Sequence, residues 1–278
     1  MGLEMKYSTT TFLFPAGLAE AFEWVAEAGF DAIDVPGDVE RFPAEAVREL
    51  SESYPKLALG EITGVWGPDK DLLNPRRDLR EHALKYASSC VELAAETGSR
   101  LTHACFMTYP ENLTGDRERL VARALKALRQ LIAEAEDRGV VLMVEPLFKG
   151  DVTLVNRVDQ ALSLWQVALG VDREALDDLP VGLLLDAYHM FNEEDSISKA
   201  VESAGKLVKH VHVADENRGT RFAGPPDFLV ETFRALERVG FAGLVSLEPI
   251  PLDFDPSREL DDVLARLKAV EDVAFARG

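Results

Sequence analysis

Cysteine is nearly absent from this chain. Its 278 residues include two, Cys90 and Cys105, and neither sits in a metal-type or redox-type pair. Two thiols cannot brace a chain of this length, so both are expected to be reduced and structural. No run approaches 18 consecutive apolar residues, which excludes a membrane-spanning helix. The first residues, MGLEMKYSTTTFLFPAG, lack a basic stretch ahead of a long apolar one. Gly2 is followed by LEMK, without the Ser or Thr that a myristoylation motif wants. No leader or lipid anchor is therefore expected, and the expected compartment is the cytoplasm. Basic residues are in deficit: Lys plus Arg is 30 against 49 for Asp plus Glu, a formal net charge of -19. Such a field repels a polyanion, so neither nucleic acid nor membrane is an expected partner.

Two further absences concern organisation. No linker rich in Gly, Ser or Pro divides the chain. No Gly-x-Gly-x-x-Gly or Walker loop follows a strand-like run, which argues against an open nucleotide-binding sheet. What is present is an alternation. Strand-like runs occur at 6–14, 30–35, 56–65, 100–107, 140–147, 181–190, 207–215 and 244–250. Amphipathic helical stretches lie between them, among them 16–29, 82–98, 119–139 and 228–240, each ending at a glycine. A glycine past the last helical residue supplies the left-handed cap. Runs such as VGLLLDA are apolar on both faces, as buried parallel strands are. Eight βα units close into a (β/α)8 TIM barrel, and residues 1–278 are expected to form one such domain.

A TIM barrel carries its active site at the C-terminal ends of its strands. Strands five to eight end in Val144-Glu145-Pro146, Leu185-Asp186-Ala187, His212-Val213 and Leu247-Glu248-Pro249. Each of Glu145, Asp186, His212 and Glu248 is set in apolar sequence. A buried carboxylate costs several kcal/mol unless it is paired or bound to metal. Three carboxylates on one rim repel one another, and a divalent cation with an imidazole resolves the repulsion. Three oxygens and one nitrogen favour a fairly hard ion: Mn²⁺ first, then Co²⁺ or Mg²⁺. His210, two residues earlier on the face of His212, is expected to lie deeper, as a core or supporting residue. His103 lies within a strand and is given no role.

The runs VEP, LDAYHM, HVHVADENRG and SLEP, with residues 63–99, resemble the sugar isomerase/epimerase family of xylose-isomerase-like barrels. They are especially similar to ketose 3-epimerases. The resemblance implies a metal held by Glu145, Asp186, His212 and Glu248. It implies substrate contacts from His189, three residues after Asp186, and Arg218, six after His212. A further substrate-binding carboxylate falls on Asp151, where ketose 3-epimerases usually carry Glu, and Phe148-Lys149 follows the Glu-Pro-Leu run. The implied activity is a metal-dependent isomerase or epimerase reaction on a small sugar or polyol-derived keto substrate. Glu145 and Glu248 would remove and return a proton beside a carbonyl. The segment 66–78 is expected to fold over the site as a lid, with Trp66 touching substrate. The same superfamily holds inosose and dehydroshikimate dehydratases and hydroxypyruvate-type isomerases as alternatives. An abasic-site endonuclease is remote, because the expected Asp-x-His pair reads Asp227-Phe228-Leu229 here. A homodimer or homotetramer fits the group.

Overall fold

All eight strand-like runs form strands: β1 (Lys6–Thr9), β2 (Ala32–Pro36), β3 (Ala58–Thr63), β4 (Leu101–Ala104), β5 (Val141–Val144), β6 (Val181–Asp186), β7 (Val208–Val213) and β8 (Leu244–Leu247). The structure, a computed structural model, describes residues 5–107, 116–151, 154–222 and 224–276. The helices are α1 (Leu18–Glu27), α2 (Ala44–Ser53), α3 (Arg77–Thr97), α4 (Arg117–Arg138), α5 (Val158–Leu169), α6 (Ala187–Glu193), α7 (Ile197–Ala204), α8 (Asp227–Arg238) and α9 (Pro256–Phe275).

The strands form one sheet in the order β1-β8-β7-β6-β5-β4-β3-β2. Every ladder is parallel. The remaining seam, β1 to β2, has one parallel bridge, Thr10 to Asp34. Beside it Asp31 N–H donates to Tyr7 O at 2.9 Å, and Tyr7 N–H donates to Asp31 Oδ2 at 2.8 Å. The sheet thus closes into the (β/α)8 barrel that the alternation implies.

Helical periodicity packs the outer ring. In α3 the residues Ala83, Ala87, Cys90, Val91 and Ala94 are buried, three or four apart or adjacent across one stripe. In α4 the stripe is Leu120, Ala124, Ala127, Leu128, Leu131, Ile132 and Ala135. Both helices end on left-handed glycines, Gly98 at φ 83° and Gly139 at φ 65°, a conformation that glycine adopts without steric cost. The buried Trp165 of α5 donates its indole N–H to Gly182 O at 3.0 Å and pins that helix to β6.

Most strands stop earlier than the apolar runs do. The clearest case is 181–190, where the chain leaves the sheet at Asp186 and turns directly into α6. Asp186 Oδ1 accepts Tyr188 N–H at 2.7 Å, so the same residue ends β6 and caps the helix. No helix among the described residues is long and apolar enough to cross a membrane.

Candidate functional site

The four strand-end residues converge. Glu145 follows β5, Asp186 ends β6, His212 lies on β7 in register with Asp186, and Glu248 follows β8. All four are buried. Ligating atoms of Glu145, Asp186 and His212 lie within 4.8 Å of one another. Glu248 Oε1 is 3.2 Å from His212 Nδ1.

Each side chain is held by a second contact. Because Asp186 Oδ1 is committed to the cap of α6, Oδ2 is left facing the barrel mouth. His212 Nε2 is 3.1 Å from Glu61 Oε1, which leaves Nδ1 directed at the carboxylates. That Nδ1 is buried and makes no hydrogen bond of acceptable geometry, although Glu248 is near. A buried imidazole nitrogen aimed among three carboxylates, with its partner nitrogen fixed by a fourth, suits a divalent cation. The donor set of one nitrogen and three carboxylates fits the hard ion expected from the sequence.

His189 and Arg218 join the same cluster. His189 Nδ1 accepts Phe148 N–H at 3.3 Å, and Nε2 faces Arg218 Nη2 at 3.3 Å. Nε2 lies 3.5 Å from Asp186 Oδ2 and 3.9 Å from Glu145 Oε1. Phe148 stacks on the imidazole at 5.9 Å and Tyr188 meets it edge-on at 5.6 Å. Arg218 Nη2 donates to Asp186 Oδ2 and Glu248 Oε2, both at 3.1 Å. Its backbone has φ 61°, a conformation that costs a non-glycine residue energy and gathers at functional loops. The loop pays through Asp215, whose carboxylate accepts the N–H groups of Asn217, Gly219 and Arg221. Arg221 points away, its side chain largely exposed and 3.9 Å from Asp253.

Trp66 stands at the edge of this group. Its ring lies 6.4 Å from that of His103 and meets Tyr86 edge-on at 5.5 Å. The segment that follows is packed against neighbouring helices. Leu72 and Leu73 are buried, Arg123 donates to Leu73 O at 2.8 Å, and Arg80 donates to Asn74 O at 2.7 Å. These contacts pack the segment against α3 and α4. Asp151 lies in a 3-10 turn after β5 (Lys149–Asp151), and its side chain falls outside the described residues.

Sequence reasoning missed three participants. Glu61, on β3, is fully buried and joins His212 to His103, whose Nδ1 is 3.1 Å from Glu61 Oε2. Cys105, expected to be purely structural, donates its S–H to Glu145 Oε2 at 3.1 Å. The only signal was period two: Glu61 and Thr63, His103 and Cys105, His210 and His212 each share a strand face turned inward.

Electrostatics divides the two terminal carboxylates. Burial, with the Glu248 charge added, pushes Glu145 up against the pull of His103. Burial also works to raise Glu248, but His212, Arg218 and His189 outweigh it and hold it down to about 2. Burial works to lower His212, but Glu248 and Glu61 outweigh it and raise it well above the ordinary imidazole value. Burial and the nearby Glu145 push the Cys105 thiol far up.

Known proteins are similar to this chain over most of its length. A protein from Escherichia coli K12, 3-dehydro-D-guloside 4-epimerase, is 28% identical over 269 residues, covering 92% of this chain and 95% of that one. The D-psicose 3-epimerase of Ruminiclostridium cellulolyticum is 27% identical over 234 residues, covering 82% and 76%. The crystal structure of 3-keto-D-glucoside 4-epimerase from E. coli superposes with a TM-score of 0.81 at 25% identity, covering 95% of this chain and 99% of that one. The family model for the xylose isomerase-like TIM barrel matches residues 22–270. The chain therefore belongs to the xylose isomerase-like TIM barrel family.

Proposed function

We propose that this protein is a metal-dependent epimerase of keto sugars that moves a proton on the carbon beside a carbonyl. One observation carries the reading: Glu145 and Glu248 reach a single buried cluster from β5 and β8, with Asp186 and His212 from the two strands between them. Two relatives are named for different positions and different sugars, a 4-epimerase of a 3-dehydro glycoside and a 3-epimerase of a free ketose. Their shared chemistry is inversion beside a ketone, and a two-carboxylate site suits both. Ketose 3-epimerisation is the first expectation.

Glu145, Asp186, His212 and Glu248 hold the ion, for which Mn²⁺ is the first choice. When bound, it supplies positive charge for the oxygen on which negative charge develops as the proton leaves. Glu248 stays ionised and takes a proton from one face of the substrate. Glu145 returns one to the other face. His189 and the Arg218 guanidinium hydrogen-bond the substrate oxygens and fix the reacting carbon between the carboxylates. Trp66 covers the open side and limits water. The substrate contact that the family resemblance implies for Asp151 remains part of this reading.

The test is the fate of the proton in deuterated water. The Mn²⁺-loaded protein is incubated with a panel of ketoses, 3-keto glycosides and inososes. Recovered epimer should carry deuterium at the inverted carbon. Glu145→Gln and Glu248→Gln should each abolish that exchange or confine it to one face, with kcat reduced at least about 100-fold. Loss of water from a substrate would assign a dehydratase. Intact two-faced exchange in Glu248→Gln would overturn the paired mechanism.

A further inference from the structure

The two oxygens of Glu145 face different groups. Oε1 lies toward His189, at 3.9 Å from Nε2. Oε2 lies 3.1 Å from Cys105 Sγ and 3.7 Å from His103 Nε2. Ligating atoms of His103, Cys105 and Glu145 all fall within 4.8 Å of one another, and all three residues are buried. The fold brings them together simply. His103 and Cys105 are two residues apart at the end of β4 and share a face. His103 is in register with Met143 of β5, two residues before Glu145.

We propose that His103 Nε2, Cys105 Sγ and Glu145 Oε2 form a second metal site, which takes a thiophilic divalent cation such as Zn²⁺ or Co²⁺. Bonds of 2.0 to 2.3 Å at tetrahedral angles separate ligand atoms by about 3.3 to 3.5 Å. The separations of 3.1 and 3.7 Å lie on either side of that range, and the third pair of ligand atoms lies within 4.8 Å. The fourth position is left for water. His103 Nδ1 is engaged by Glu61 Oε2 at 3.1 Å, the carboxylate-histidine pairing that orients an imidazole ligand. A thiolate gives this site a preference that Asp186, His212 and Glu248 do not have, since sulfur selects zinc over manganese or magnesium. On binding, the metal–sulfur bond forms as the thiol proton leaves to solvent, with no change of oxidation state. Glu145 then bridges two cations. An ion held there engages a carboxylate used in the proposed reaction; that consequence, though not the site, rests on the functional reading above.

The experiment titrates full-length, metal-free protein with Co²⁺ alone and follows the near-ultraviolet spectrum. Wild-type protein should bind about two equivalents and develop a thiolate-to-cobalt charge-transfer band. Cys105→Ser should abolish the band and reduce the stoichiometry to about one. Cys90→Ser should keep both. Asp186→Ala should lose the other equivalent and retain the band, so failure of the oxygen-rich site or of the epimerase reading is distinguishable from failure of this one. If Cys105→Ser does not fold, His103→Gln serves instead and should lower the stoichiometry by one. The proposal is overturned if saturated wild-type protein shows no thiolate band, or if the band survives Cys105→Ser or vanishes in Cys90→Ser.

Discussion

An imidazole is aimed by whatever holds its second nitrogen, and at His212 that group is Glu61. Glu61 is buried beneath the rim, and its charge is stabilised against burial by His103 and His210, which hold its carboxyl well below the usual range. Glu61→Gln keeps the shape and gives up the charge. It should leave the protein folded yet weaken Mn²⁺ binding by about 10- to 100-fold, as measured by calorimetric titration. A fall in melting temperature with unchanged metal affinity would show that Glu61 serves packing alone. The pH dependence follows from His212. Its folded-state value is raised, so its stabilising proton is fully present below about 6.5 and is lost as pH rises through the higher folded value. A cation must displace that proton to reach the nitrogen. Binding near pH 7 should therefore release a proton, detected with buffers of different ionisation enthalpy, and affinity should fall as pH is lowered.

At the scale of elements, the segment between β3 and α3 carries Trp66, the proposed cover of the site. Trp66 is braced by Tyr86, whose hydroxyl accepts Val65 N–H at 2.7 Å, and by the position of Gly64. A Cβ on Gly64 would collide with the Trp66 indole nitrogen, so a side chain there requires displacement. Gly64→Ala should therefore swing Trp66 out of place, shift its fluorescence and raise KM several-fold while leaving metal stoichiometry at its wild-type value. An unchanged emission spectrum would show that the indole is not held where the structure has it. The same elements mark what sequence could reveal. All eight strands were legible, because buried parallel strands are apolar on both faces and glycines punctuate the helices before them. Strand ends were less so: nothing in the apolar run LDAYHM shows that Asp186 caps a helix, since the capping bond depends on where the sheet stops. Four ligand candidates could be named because each stood alone as a charge in apolar sequence. Glu61 and Cys105 could not, because their importance comes from neighbours 151 and 40 residues away in the chain.

The whole barrel depends on a polar seam beneath the site. Between β1 and β2 the backbone ladder is reduced to one bridge, and side chains take over. Asp34, on β2, is completely buried. Its Oδ2 accepts the Ser8 hydroxyl at 3.0 Å and that of Ser246, and lies 3.0 Å from His210 Nε2. Its Oδ1 accepts Glu61 N–H at 2.8 Å. One carboxylate thus joins β1, β2, β3, β7 and β8 across the point where the barrel closes. A buried charge of this kind is tolerated only because its oxygens are satisfied, and its partners in turn depend on it. Asp34→Ala would strand two hydroxyls, an imidazole and a backbone N–H in the interior. The expected cost is about 3 to 5 kcal/mol, read from denaturant unfolding. Asp34→Asn keeps the shape and one carbonyl acceptor, so it should recover part of that loss. Metal affinity offers the sharper reading, because Asp34 holds Glu61 N–H and lies against His210 and, within 4.8 Å, a ligating atom of His212. If the seam is a scaffold, Asp34→Asn should lower stability while the folded fraction binds Mn²⁺ within a few-fold of wild type. A loss of metal binding as large as that in Glu61→Gln would mean that the seam and the site form one cooperative unit.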